Sequence, residues 1–216
     1  MNYKVSALIP IYNVEAYIER CARSLFEQTY PNLEYVFVND CTPDRSMDIL
    51  KRAMDDYPER KGCVKIINHE RNRGLAATRN TCLDNVTGEF VTVVDSDDWL
   101  EPKAVELLVA RQKETDADIV SGNAIVHRSS GLQELDEPNY ASKEEMVLRQ
   151  MEHTLDHVLW HRLIRRSVIE QHHIRAIEGS EMAEDRYQMT LISYYARSFA
   201  KTSHVIYNYN QLKPTL

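Results

Sequence analysis

Phe90-Val91-Thr92-Val93-Val94 runs directly into Asp95-Ser96-Asp97-Asp98. An unbroken β-branched and apolar run reads as a strand buried on both faces, because a half-solvated strand would alternate apolar with polar residues. At the end of this strand stand three carboxylates in four residues. At an effective dielectric near 20, each close pair of like charges costs on the order of 3–4 kcal/mol, so the cluster attracts a cation. Asp-x-Asp oxygens are hard ligands that suit Mg2+ or Mn2+, and such an ion takes phosphate oxygens into its remaining positions. A metal diphosphate complex is the guest that fits. The plainer alternative is a solvated turn that caps the helix opened by Pro102. The residues alone leave both open.

The pattern repeats upstream. Val5-Ser6-Ala7-Leu8-Ile9 is a short apolar run stopped by Pro10, and Tyr35-Val36-Phe37-Val38 is a second, ending at Asn39-Asp40. Val64-Lys65-Ile66-Ile67 is a third. Between them, Val14 to Phe26 shows helical apolar spacing, Asp44 is placed to cap a helix carrying Met47, Leu50 and Met54, and Leu75 to Leu83 follows the turn Asn72-Arg73-Gly74. Strand–helix alternation with continuously apolar strands predicts an α/β fold with a mostly parallel, Rossmann-like sheet flanked by helices. Ligands of such sheets bind at the carboxyl ends of the strands. Pro10 to Asn13, Asn39 to Asp44 and Asp95 to Asp98 all fall there.

Beyond Thr115 the pattern loosens. Ile119-Val120, Ala124 to Val126 and Val205-Ile206-Tyr207 suggest strands, Ser142 with Glu145 a helix start, and 185–197 a helix. Ser129-Ser130-Gly131 and Asp136 to Asn139 read as loop. With 216 residues and no clean linker, one domain is expected over 1–216. It divides into a regular half, 1–115, and a less regular half, 116–216. Acidic residues number 33 against 26 basic, for a net charge of -7, which disfavours a general nucleic-acid binder. Cys21, Cys41, Cys63 and Cys82 match neither a zinc nor a redox spacing and read as free thiols in a reducing cytosol. No stretch approaches the roughly 20 apolar residues of a membrane span. A cytoplasmic protein is expected, with room for docking at the inner face of the cell membrane.

Taken in order, Ile9 to Asn13, Val38 to Asp44, Asn72 to Leu75 with Ala77 to Asn80, and Asp95 to Asp98 resemble the signatures of family 2 glycosyltransferases, inverting enzymes of the GT-A fold. Glu184-Asp185-Arg186-Tyr187 resembles their acidic pair. Leu159 to Leu163 with Arg165-Arg166 is similar to a tryptophan-plus-basic segment of bacterial polysaccharide members. The resemblance implies a metal-dependent enzyme that moves a sugar from a nucleotide-diphosphate donor, a UDP-sugar favoured, to a glycan or lipid-linked glycan acceptor, with 1–115 as the nucleotide-binding half and 116–216 as the acceptor-binding half. It implies that Pro10, Tyr12, Asn13 and Asp40 hold the nucleotide, with Asp40 accepting from a base N–H. Arg79 is placed near the diphosphate. Asp97 is implied as a metal ligand, and Asp95 as a ligand or a ribose contact. Asp98 orients the donor sugar or caps a helix, Glu184 binds sugar hydroxyls, Asp185 is the base, and Trp160 offers a stacking face. Family members continue past Leu216, so the chain is expected to be shortened at its C-terminal end, where a peripheral membrane contact would lie. A homodimer is a further expected partner.

Simpler readings stand beside these. Arg79 reads equally as a surface residue paired with Asp84 or Glu89, and Trp160 reads better as packing. His161, His172 and His173 read as solvated loop residues. Cys41 stands where this loop commonly has glycine, and Asn39 where aspartate is frequent, which leaves Asp40 to carry the base contact. A non-catalytic nucleotide- or partner-binding module of the same fold is the alternative function. A sugar nucleotidyltransferase ranks lower, since Ile9-Pro10-Ile11-Tyr12 has no glycine for a triphosphate loop.

Overall fold

A computed structural model describes residues 2–140, 142–151, 157–179 and 184–212. The tail from Lys213 to Leu216 lies outside the described residues. In chain order the elements are β1 (Val5–Ile11), α1 (Ile18–Phe26), β2 (Leu33–Asn39), α2 (Ser46–Asp55), β3 (Val64–Asn68), α3 (Leu75–Asp84), β4 (Phe90–Val93), β5 (Trp99–Leu100), α4 (Ala104–Thr115), β6 (Ile119–Arg128), β7 (Gly131–Leu135), α5 (Lys143–Met151), β8 (Arg162–Arg165), α6 (Arg166–Gln171), α7 (Glu184–Tyr195) and β9 (Phe199–Asn210). A short 3-10 turn, Pro58–Cys63, precedes β3.

The strands form one sheet in the order β3-β2-β1-β4-β8-β6-β9-β5, with β7 paired to β6. From β3 to β4 every pairing is parallel. Ile11 lies beside Asn39 and Asn39 beside Asn68, so the carboxyl ends of these strands form a level edge. β1 is buried from end to end and β4 likewise, which requires cover on both faces. One face packs on α1, α2 and α4 through Ile18, Leu25, Leu50, Val105 and Leu108. The other packs on α3, α6 and α7 through Leu83, Ile169, Met189 and Ile192. The predicted α/β class holds in this half strand by strand.

Past β4 the sheet changes character. β8 runs antiparallel to β4 and β6, while β9 returns parallel to β6. The two strands expected over 119–126 are one ten-residue strand with register shifts near Asn123. The last strand is twelve residues long, not three. β5 escaped the sequence reading because two residues carry no periodicity. It pairs with β9 across more than a hundred residues of chain. Val14 to Tyr17 is a turn ahead of α1. Asp44 stands two residues ahead of α2, and its Oδ1 accepts from the Ser46 N–H at 3.0 Å, close to the capping role expected. His161 is not solvated. It is buried with φ 57°, and its Nδ1 donates to Gly122 O at 2.8 Å. No helix among the described residues is long and apolar enough to cross a membrane.

Candidate active site

The loops after β1, β2 and β4 meet at the level edge. They wall a cavity of about 320 Å3 with Pro10, Tyr12, Asp40, Asn72, Gly74, Leu75, Thr78, Asp95 and Asp97. That volume suits a small organic ligand. A larger cleft of about 610 Å3 between α1 and β5 has Arg20 lying over Trp99 but none of this acidic loop.

The loop after β1 is tied to the loop after β2. Thr42 Oγ1 accepts from Asn13 N at 2.8 Å, Ser46 Oγ from Val14 N at 3.1 Å and Asp44 Oδ2 from Glu15 N at 2.8 Å. Burial pushes the Asp44 carboxyl up, but hydrogen bonds from the Ser46 and Thr42 hydroxyls, with the N–H groups of Ser46 and Glu15, hold it below its ordinary range. Asn13 and Cys41 both sit at φ 55°, the left-handed region. Cys41 thus keeps the backbone shape that glycine would give, at a cost of roughly 1–2 kcal/mol for its Cβ. Tyr12 projects outward, 45% exposed, beside the cavity.

Asp40 is 2% exposed and accepts three hydrogen bonds. His69 Nδ1 is 2.6 Å from Oδ1, Arg73 N donates to Oδ1 at 2.8 Å, and Gly74 N donates to Oδ2 at 2.8 Å. Asp40 therefore shapes the Asn72-Arg73-Gly74 turn as well as facing the cavity. Gly74 has φ 86°, which an L side chain rarely adopts.

The Asp95–Asp98 loop is anchored from β9. The Tyr207 hydroxyl accepts from Asp95 N at 3.1 Å and donates to Asp98 Oδ2 at 2.8 Å. Asn210 N donates to Asp98 Oδ1 at 2.8 Å. The Asp98 carboxylate is buried in these contacts, outside the cavity lining, and anchors the loop. Burial, then Asp95 and Asp97, push its carboxyl up to about 8.

Arg79 corrects the surface reading. It is 3% exposed, and α3 aims it at three carboxylates. It donates to Asp95 Oδ1 at 3.1 Å, to Glu184 Oε1 at 2.9 Å, and to Asp185 Oδ1. Asp84 instead pairs with Arg175. Asp185 also accepts from the Leu159 N–H. Burial, with Asp95 and Glu184 nearby, pushes the Asp185 carboxyl up to about 7 despite Arg79. Arg79 itself is held firmly charged by the three acids.

Trp160 is 4% exposed, stacked on Tyr207 at 4.7 Å and tilted against Tyr209 and His161. It is a core residue with no open face for a sugar, as packing favoured. Sequence reasoning missed His69, Tyr207 and Asn210. Only their positions next to strand ends hinted at them, because their partners are remote in sequence.

Among the described residues, no group of three or more His, Cys, Asp or Glu side chains is arranged to hold a metal alone. Asp95 and Asp97 nevertheless place hard oxygens on the cavity wall. Together they fit a divalent ion that completes its shell with phosphate oxygens and water.

Comparison with known proteins agrees with this architecture. The family model described as glycosyl transferase family 2 matches residues 6–172. A putative glycosyltransferase, EpsH of Bacillus subtilis (strain 168), is 34% identical over 211 residues, 95% of this chain and 60% of the relative. The crystal structure of S. aureus TarS 1-349 in complex with UDP-GlcNAc aligns with a TM-score of 0.84 at 22% identity, over 98% of this chain and 60% of that one. The mannosyltransferase PcManGT from Pyrobaculum calidifontis, in complex with GDP-Man and Mn2+, aligns with a TM-score of 0.71 at 19% identity, over 96% and 57%. The present chain spans about 60% of the length of these proteins. The structural likenesses show a shared GT-A fold. With the family model covering most of the sequence and a relative aligned along nearly all of it, the chain belongs to glycosyl transferase family 2.

Proposed function

We propose that this chain carries the catalytic site of an inverting glycosyltransferase. The enzyme moves a sugar from a nucleotide-diphosphate donor, a UDP-sugar favoured, to a glycan hydroxyl in cell-surface polysaccharide synthesis, on the cytoplasmic side of the membrane. One observation carries the reading: Arg79 joins Asp185, from the second half, to Asp95 on the wall of the strand-end cavity. This contact supports reading Asp185 as a base beside a donor site.

Pro10, Tyr12 and Asp40 border the place for the base, and Asn13 belongs to the loop beside it. Asp97, with Asp95, would hold a divalent ion, which when bound neutralises charge building on the leaving diphosphate. Asp185 accepts the proton of the attacking acceptor hydroxyl. As its oxygen bonds to the anomeric carbon, the bond to the diphosphate oxygen breaks and the nucleoside diphosphate departs with the electron pair. A carboxyl held near 7 suits a base working at neutral pH, being ionised yet basic enough to take a proton. Glu184, on the same helix and paired with Arg79, accepts from sugar hydroxyls in this reading. One base opposite one leaving group gives inversion.

Calorimetry with UDP, with and without Mn2+, followed by a product assay, tests this. Asp97→Asn is expected to remove the metal-dependent part of nucleotide binding. Asp185→Asn is expected to keep nucleotide binding and to lower transfer by about 10²–10⁴-fold. Transfer at the parent rate by both variants overturns the reading.

A further inference from the structure

The turn of Asp40 toward the cavity is fixed from behind by a residue that has no part in the cavity wall. His69 follows β3 directly, and its N–H donates to Asn39 O at 2.9 Å, extending the β2–β3 ladder by one residue. That places its ring, only 6% exposed, beneath Asp40. Nδ1 lies 2.6 Å from Asp40 Oδ1, and Nε2 lies 2.9 Å from Thr81 Oγ1 on α3. Thr81 Oγ1 is in turn 3.0 Å from Ala77 O. A hydroxyl both donates and accepts, so Thr81 holds Nε2 in either protonation state of the ring. Since a carboxylate only accepts, Nδ1 carries the proton of the Asp40 bond.

All three partners of Asp40 are therefore donors: the His69 ring and the N–H groups of Arg73 and Gly74. A carboxylate has about four lone-pair positions. Three are filled here, and one remains on Oδ2. Asp40 is buried apart from its place on the cavity wall, so the cavity meets an acceptor and no donor.

We propose that His69, braced by Thr81, is a positioning residue that fixes Asp40 as a pure acceptor and so selects a nucleobase with a ring N–H, uracil over cytosine. The inference rests on the nucleotide-sugar reading above and extends it to the origin of base selectivity. Uracil N3 carries a hydrogen and donates to Oδ2. Cytosine N3 is bare, so the same pose sets one lone pair against another. UDP and CDP share their ribose and diphosphate, which confines the difference to this edge of the base. Without the imidazole, Asp40 loses one of two donors on Oδ1. Its carboxyl can then turn away from the base edge, and discrimination falls.

The experiment is calorimetry of the protein with UDP and with CDP, Mn2+ present, for the parent, His69→Phe, His69→Asn and Thr81→Val. The parent is expected to prefer UDP by about 100-fold or more, because the mismatch leaves a buried acceptor unpaired. His69→Phe is expected to bring that ratio to about tenfold or below. His69→Asn, whose amide N–H can stand in for Nδ1–H, keeps most of the preference, and Thr81→Val falls between. The ratio cancels any loss of folded protein. If His69→Phe weakens both nucleotides in parallel and leaves the ratio intact, His69 is only structural and the inference is overturned. A parent that binds UDP no better than CDP also overturns it, while leaving a transferase in place. A parent that binds no nucleotide removes the transferase reading and this inference together.

Discussion

Two acidic sites lie along the same sheet edge, one with a buried carboxylate and one with half-buried ones, and they are built in opposite ways. Asp40 is served by more donors than it has charge: two backbone N–H groups and an imidazole, all from the first half of the chain. Asp95, Glu184 and Asp185 share a single guanidinium, and two of the three come from α7, over a hundred residues away. The first arrangement fills three of a carboxylate's four lone-pair positions with fixed donors and gives a rigid shape. The second leaves negative charge over, which raises one pKa and creates a demand for a cation. Recognition suits the first kind of site, and proton transfer with a charged leaving group suits the second.

Removing Arg79 is expected to have the largest effect on stability. Arg79→Met keeps the aliphatic bulk and leaves three carboxylates facing one another with no cation. The nucleotide-free protein should lose about 3–5 kcal/mol, as buried pairs do when one partner goes. Denaturant unfolding measures it. Arg79→Lys should recover part of this, since an ammonium offers charge without the fork that reaches three acids. If Arg79→Met unfolds at the parent midpoint, the three acids are not sharing one cation and the contrast with Asp40 dissolves.

Asp40→Ala should cost less, about 1–3 kcal/mol, because the N–H groups of Arg73 and Gly74 lose their acceptor while no charge is left unpaired. The same denaturant series measures it. A loss equal to that of Arg79→Met would mean that the Asp40 site carries charge strain as well, and the two sites would be of one kind.

How far the sequence announced these sites follows the same division. Val5 to Ile11, Tyr35 to Val38 and Phe90 to Val93 are mostly apolar because each is covered on both faces, so hydropathy located them, although β1 runs on through Pro10 to Ile11; Tyr12, Asp40 and Asp95 follow these strands at the expected edge. In the second half, polar groups are buried by pairing with one another. Arg162, fully buried in β8, pairs with Glu137, and Asp118 lies between Arg165 and Arg197. Such residues look like surface in a hydropathy pattern. Arg79 illustrates the ambiguity: on α3 it resembled a solvated charge, and its three partners are fixed only by the tertiary fold. The anchoring of Asp98 by Tyr207 and Asn210 was illegible for the same reason.

The smallest effect, and the most discriminating, is the pH dependence of Asp185→Asn in the nucleotide-free protein. The folded-state carboxyl is pushed up to about 7 from an ordinary 3.8, by burial and by Asp95 and Glu184. A raised carboxyl binds its proton more tightly folded than unfolded. Its contribution to stability is therefore complete below about pH 4 and is lost as pH climbs through about 7. Asparagine never ionises, so it escapes that loss, while its amide oxygen accepts from Arg79 without the charge that strengthens the bond. The variant should melt at or slightly below the parent at pH 5. At pH 8 it should melt above it by about 2–4 °C, the shift that roughly 1 kcal/mol gives in a domain of this size. Other titrating groups are common to both proteins and cancel in the difference. A variant that melts below the parent by the same margin at both pH values would make Asp185 an ordinary ion-pair partner of Arg79. The surplus of charge that separates its site from that of Asp40 would then be absent, and with it the reason for a base at this end of α7.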